Sequence, residues 1–109
     1  MMKLLVDTHV VIWHLEDNPR LSIEWSNTLE NPAHEKYFSI ASLWETAIKI
    51  NVGKLKIEYP LDHLIPAEFK LLPVSVPHLL NYQPLPLHHC DPFDRILIAQ
   101  TQTEGFIII

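Results

Sequence analysis

The chain has 109 residues, 13 acidic and 8 basic side chains, a formal charge of −5, 48% apolar residues and 19% charged residues. Those figures describe one small globular domain, residues 1–109, able to bury about 65% of its unfolded surface, and they exclude a disordered chain. Two glycines, Gly53 and Gly105, exclude a glycine-rich dinucleotide or phosphate loop, and the single Cys90 excludes a disulfide framework or a multi-cysteine zinc site.

Lys3 to Val6 is a short apolar run ending at Asp7, the pattern of a buried strand. His9 to Glu16 follows as a short helix, broken at Asn18-Pro19. Ser22 is placed to cap a second helix to Glu30, with Ile23, Trp25 and Leu29 partly buried. Tyr37 to Ile40 is a second strand. Ala41 to Asn51 is the clearest helix, with Leu43, Ala47 and Ile50 on one stripe, Trp44 and Ile48 beside it, and Gly53 just past its end. Pro66 argues against one regular helix over Leu61 to Lys70. Leu71 to Ser75 reads as a third strand, pushed toward a sheet edge by Pro73. Pro77 to Tyr82 fits one or two helical turns, and Gln83 to Cys90, with Pro84 and Pro86, reads as an extended loop. Pro92 to Thr103 is a strong helix with proline at its first position, ended by Gly105. Phe106 to Ile109 is an apolar stretch expected to be a buried parallel strand. Strands alternating with helices imply an α/β fold with a parallel sheet covered on both faces.

The overall acidity argues against a general electrostatic grip on nucleic acid, while leaving room for a local basic patch or a site built of acids. No apolar run approaches a membrane span and no leader pattern opens the chain, so a soluble cytoplasmic protein without membrane contact is expected.

Ligands of parallel sheets bind at the carboxyl ends of the strands. Asp7 stands where the first strand ends, as a ligand of such a site or as the cap of the next helix. Ser42-x-x-Glu45 matches a capping box, but Ser39 competes as the cap and would leave Glu45 further into the helix. Asp91 is a natural cap before Pro92, and Asp94 falls in the first turn, where acids favour the helix dipole; both stand where they can also face a common cation. Three or four carboxylates in one pocket need a divalent cation or added protons. Hard oxygen donors favour Mg²⁺ or Mn²⁺, ions able to activate a water against a phosphodiester.

Three blocks carry a family resemblance: Leu4-Leu5-Val6-Asp7-Thr8-His9; Ser42-Leu43-Trp44-Glu45 with Lys49 and Gly53-Lys54-Leu55; and His88-His89-Cys90-Asp91-Pro92-Phe93-Asp94-Arg95 with Ala99-Gln100. Together they resemble PIN-domain proteins, and among those the VapC-type ribonuclease toxins of toxin–antitoxin pairs, from Leu4 to Ile109. The resemblance implies a three-layer α/β/α sandwich around a parallel sheet and a metal-dependent endoribonuclease using Mg²⁺ or Mn²⁺. It also implies an RNA substrate, a cognate antitoxin and a homodimer. Matched residue by residue, it places the first acid at Asp7, the second at Glu45 and the third at Asp94, with Asp91 a second-rank metal ligand. Thr8 would support a metal-bound water. Family members usually continue past the strand matching Phe106 to Ile109, with a Ser or Thr and a fourth acid beyond it. The expectation is therefore a chain lacking that C-terminal segment, with impaired activity and an altered dimer surface.

Lys49, Lys54, Lys56, Arg95 and His89 are candidates to face phosphate, against the alternative of a solvated rim. Neighbouring side chains of an extended loop point opposite ways, which disfavours zinc at His88-His89-Cys90. Trp13, Trp25 and Trp44 read as core or partner-contact residues rather than base-stacking platforms. Two rival functions share these features. One is a non-catalytic PIN-like protein that sequesters antitoxin or dimerises. The other is a metal-dependent 5′-nuclease or phosphatase.

Overall fold

The computed structural model describes residues 1–86 and 91–109. Four strands, β1 (Lys3–Leu5), β2 (Glu35–Ser39), β3 (Lys70–Leu72) and β4 (Ile107–Ile108), form one sheet in the order β3-β2-β1-β4, and every neighbouring pair is parallel. Five helices connect or flank them: α1 (Thr8–Leu15), α2 (Ile23–Glu30), α3 (Ile40–Asn51), α4 (Val76–Tyr82) and α5 (Pro92–Glu104). The expected α/β architecture with a central parallel sheet is present.

The pleat of β1 separates the layers. Leu4 and Val6 point into a cluster with Val11, Leu29, Phe38, Leu64 and Phe69, under α1 and α2. Leu5 points the other way, onto Leu72, Leu97 and Phe106 beneath α5. Both faces of the sheet are thus covered, as an all-parallel sheet requires.

Local signals set the helix boundaries. Ser22 accepts a hydrogen bond from the Trp25 N–H at 3.2 Å, and Asp91 accepts one from the Phe93 N–H at 2.8 Å. Gly105 closes α5 in the left-handed region at φ 72°, and Gly53 does the same past α3 at φ 79°. A histidine network fastens α4 to α5. The Ser75 N–H donates to His78 Nδ1 at 3.0 Å, which puts the ring proton on Nε2, 2.9 Å from Glu104 Oε1.

Several expectations are corrected. The second strand is Glu35–Ser39 rather than Tyr37 to Ile40, because Ser39 is already the α3 cap. Between Leu61 and Lys70 only a 3-10 turn, Leu61–Leu64, forms before Pro66. The third strand, at the sheet edge as expected, is Lys70–Leu72 and stops before Pro73. The buried face of α3 is Ala41, Ser42 and Thr46, with Ala41 packed against Ile96 and Ala99 of α5, while Trp44 is 64% exposed. Ile23 and Trp25 are exposed, and only Leu29 of α2 is buried. The last strand is an edge rather than a buried strand: Phe106 is buried, but Ile107 and Ile108 are exposed because nothing described pairs beyond β4. Among the described residues no helix is long and apolar enough to cross a membrane.

Candidate active site

Parallel strands put all their carboxyl ends on one edge. Helix α1 leaves β1 there and α3 leaves β2 there. Helix α5 runs back to feed β4, so its N-terminus returns to the same edge. Three helix N-termini, each carrying partial positive charge, therefore gather where Asp7, Glu45, Asp91 and Asp94 lie.

Asp7 is held by its backbone and its side chain. Its N–H donates to the Ile109 carbonyl at 2.9 Å, while Ile109 N–H donates to Leu5 O at 3.0 Å, zipping the end of β4 to the end of β1. The Asp7 carboxylate accepts from the His9 N–H at 3.4 Å and lies 3.5 Å from His9 Nδ1. It therefore caps α1 and also borders a cavity of about 390 Å³ that it shares with Asp94. Asp91 is spent partly on its cap at Phe93.

Glu45 is not part of a capping box. Ser39 caps α3, its hydroxyl oxygen accepting from the Ala41 N–H at 3.1 Å, and Ser42 sits inside the helix. Glu45 thus stands in the second turn, 3.8 Å from Lys49. Burial pushes its carboxyl above the usual carboxylate range of 4.5; Lys49 pulls it down, and the charges of Asp91, Asp94 and Asp7 push it up. Acids far apart in sequence thus act electrostatically on one side chain. Glu45 opens onto a second cavity, of about 360 Å³, whose wall also holds Thr8. Thr8 is buried, and its Oγ1 has no hydrogen-bond partner among the described residues.

Of the candidate phosphate-facing residues, Lys49 and Lys54 line that second cavity together with Lys56. Arg95 does not. Its guanidinium donates to the Leu85 carbonyl at 3.1 Å and lies over the Tyr82 ring, 4.7 Å from its centre, a cation–π contact that ties the start of α5 to the α4 end. His89, and with it the His88-His89-Cys90 reading, lies outside the described residues. Sequence reasoning missed His9 and Trp13 as a pair: they are four apart on α1, with ring centres 6.1 Å apart, on the wall facing the lysines. The i,i+4 spacing was the available signal.

A divalent ion fits this donor set in a hydrated form. Mutually repelling carboxylates and an unpartnered buried hydroxyl favour a cation. Yet among the described residues no three His, Cys, Asp or Glu side chains are grouped closely enough to hold a metal directly. Mg²⁺ binds in that manner, through one or two carboxylates while keeping several waters.

The raised Glu45 carboxyl makes a testable statement about stability. Its native form holds the proton more tightly than the unfolded chain, so stability falls as pH rises from 4.5 through the raised native value, and the loss persists above it. That balance already includes the attraction of Lys49. In metal-free buffer Glu45→Gln should melt higher than the parent chain at pH 7, and the difference should close below pH 4.5. Thermal melts at both pH values check this; a variant less stable at pH 7 contradicts the assigned environment.

The PIN domain family model matches residues 4–109. No curated protein matches the chain. Among solved structures, the crystal structure of VapBC2 from Rickettsia felis, bound to a DNA fragment from their promoter, is similar in fold. Its TM-score is 0.71 at 13% sequence identity, over 98% of this chain and 85% of that one.

Proposed function

The chain belongs to the PIN-domain family, and from that premise we propose that it is a metal-dependent endoribonuclease of the VapC type, the toxin of a toxin–antitoxin pair. The observation that carries this reading is that Asp7 and Asp94, 87 residues apart in sequence, border one cavity at the carboxyl edge of the sheet. In the proposed site Asp7 and Asp94, which border one cavity, would hold Mg²⁺ or Mn²⁺, with Glu45 as the further acid and Asp91 second in rank. When bound, such an ion supplies an activated water and neutralises charge at a phosphodiester. Glu45 would accept a hydrogen bond from the attacking water, and the Thr8 hydroxyl, which lines the same cavity, would supply a donor. Lys49 and Lys54 offset phosphate charge. The substrate is RNA, the partner a cognate antitoxin, and the compartment the cytoplasm.

An apolar hollow of about 270 Å³ between α3, α4 and α5, bordered by Trp44, Leu79 and Phe93, favours a homodimer in addition. Leu79, on its wall and 52% exposed, supplies the test: Leu79→Glu should yield monomers by sedimentation if this face pairs. The same surface supports a non-catalytic binder as the second reading.

The deciding experiment incubates the purified chain with single-stranded RNA, flap DNA and a phosphomonoester, in Mn²⁺ and in EDTA. Cleavage of RNA alone, only in Mn²⁺, is expected. Preference for flap DNA or the monoester would favour a 5′-nuclease or phosphatase, and no cleavage of any substrate would favour the binder.

A further inference from the structure

The acid site does not account for the cavity beside it. One wall is α1, presenting His9 and Trp13; the other is the last turn of α3 and the segment after it. That segment is held in place by its backbone. The Lys54 and Leu55 N–H groups both donate to the Lys49 carbonyl, at 2.8 and 3.2 Å, after the left-handed turn at Gly53. From there the chain alternates, with Lys54 and Lys56 exposed and Leu55 and Ile57 half-buried. Three of the eight basic side chains of a protein with net charge −5 therefore meet in one hollow of about 360 Å³, opposite an aromatic pair. Two acids share it: Glu45, already 3.8 Å from Lys49, and Glu16 at the far end of α1.

We infer that this hollow is a nucleotide subsite of the RNA, in which Lys54 and Lys56 take the phosphate next to the one cleaved and Trp13 with His9 stacks its base. The inference rests on the nuclease reading of the acids and extends it. Lysines alone would suit any polyanion, an acidic protein segment included. The aromatic wall is what favours RNA, because unpaired bases are held by stacking on such rings while phosphates are held by charge. The hollow has room for a base and adjoins Thr8 and Glu45, so a phosphate there is one step along the strand from the acids.

The test measures binding apart from cleavage. Labelled single-stranded RNA and an abasic ribose-phosphate chain of equal length are titrated in EDTA against Asp94→Asn and further variants on that background. Lys54→Ala/Lys56→Ala should weaken RNA binding at least about tenfold at low salt. It should also flatten the log-affinity against log-salt slope by about 1.4, two contacts at about 0.7 each. The charge-matched control Lys3→Ala/Lys70→Ala, at the opposite edge of the sheet, should leave the slope unchanged. Trp13→Ala should cost RNA about tenfold and leave the abasic chain unaffected. Exposed His9, as His9→Ala, gives a second stacking variant that spares the packing. Variants that bind RNA like their parent overturn the subsite even if the parent chain cleaves RNA. Equal loss of RNA, the abasic chain and polyglutamate, with no effect of either stacking variant, overturns it in favour of an acidic protein segment. The expected binding pattern in a chain that never cleaves RNA leaves the subsite standing and removes the nuclease reading.

Discussion

Asp94→Asn is expected to lower Mn²⁺-dependent RNA cleavage by about a thousandfold or more. In the proposed site Asp94 and Asp7 would hold the ion, which would contribute several kcal/mol to stabilising charge in the transition state. Losing about 4 kcal/mol of that corresponds to a factor of about a thousand. The substitution keeps the side chain's size and leaves the Asp91 cap of α5 intact, so the fold should survive. Arg95→Ala serves as contrast. Its guanidinium is turned to Leu85 and Tyr82, so it should cost stability more than turnover. Single-turnover rates with melting curves check both. Asp94→Asn cleaving within tenfold of the parent would remove Asp94 from the site.

The second large effect is structural. Phe38 lies on β2, between β1 and β3, fully buried among Leu4, Val6, Val11 and Leu64. Phe38→Ala leaves a cavity that the sheet cannot close and should cost about 3–5 kcal/mol. Native domains hold only about 5–15 kcal/mol in total, so much of the population should unfold near physiological temperature. Urea denaturation measures this. A loss below about 1 kcal/mol would contradict the central place given to Phe38.

How much of this was legible in the sequence depends on whether the signal was local. Asp7, Ser22, Asp91, Gly53 and Gly105 mark helix ends through their own backbone and side-chain chemistry, and α1, α2, α3 and α5 follow closely from them. The apolar run before Asp7 placed β1. What was not legible depended on partners. Helix α3 buries Ala41, Ser42 and Thr46 rather than its larger stripe: Ala41 packs against Ile96 and Ala99 of α5, and Thr46 lines the cavity shared with α1. Trp44 read as core or partner contact; it packs edge-on against Phe93 at 5.2 Å while staying exposed, so it is not core. Arg95 looked phosphate-facing from its place beside Asp94, but Tyr82 and the Leu85 carbonyl, ten residues back, hold it instead. In the candidate site, the positions of Asp7, Asp91 and Asp94 were legible as strand and helix ends, and Glu45 as further into its helix once Ser39 is the cap. Their division between two cavities was not, because it depends on how α1 and α3 splay apart beyond Thr8 and Glu45.

The claim on which the rest depends is that these carboxylates form a cation site in the folded chain. Melting the purified protein at pH 7 in EDTA and in rising Mn²⁺ tests it without reference to any substrate. An ion bound only by the fold, at a hundred times its dissociation constant, adds about 2.7 kcal/mol, which for a domain of this size is about 10 °C. The account predicts that rise for the parent chain and its loss in both Asp7→Asn and Asp94→Asn. A melting temperature unmoved by saturating Mn²⁺, or an equal rise in the two variants, would contradict it.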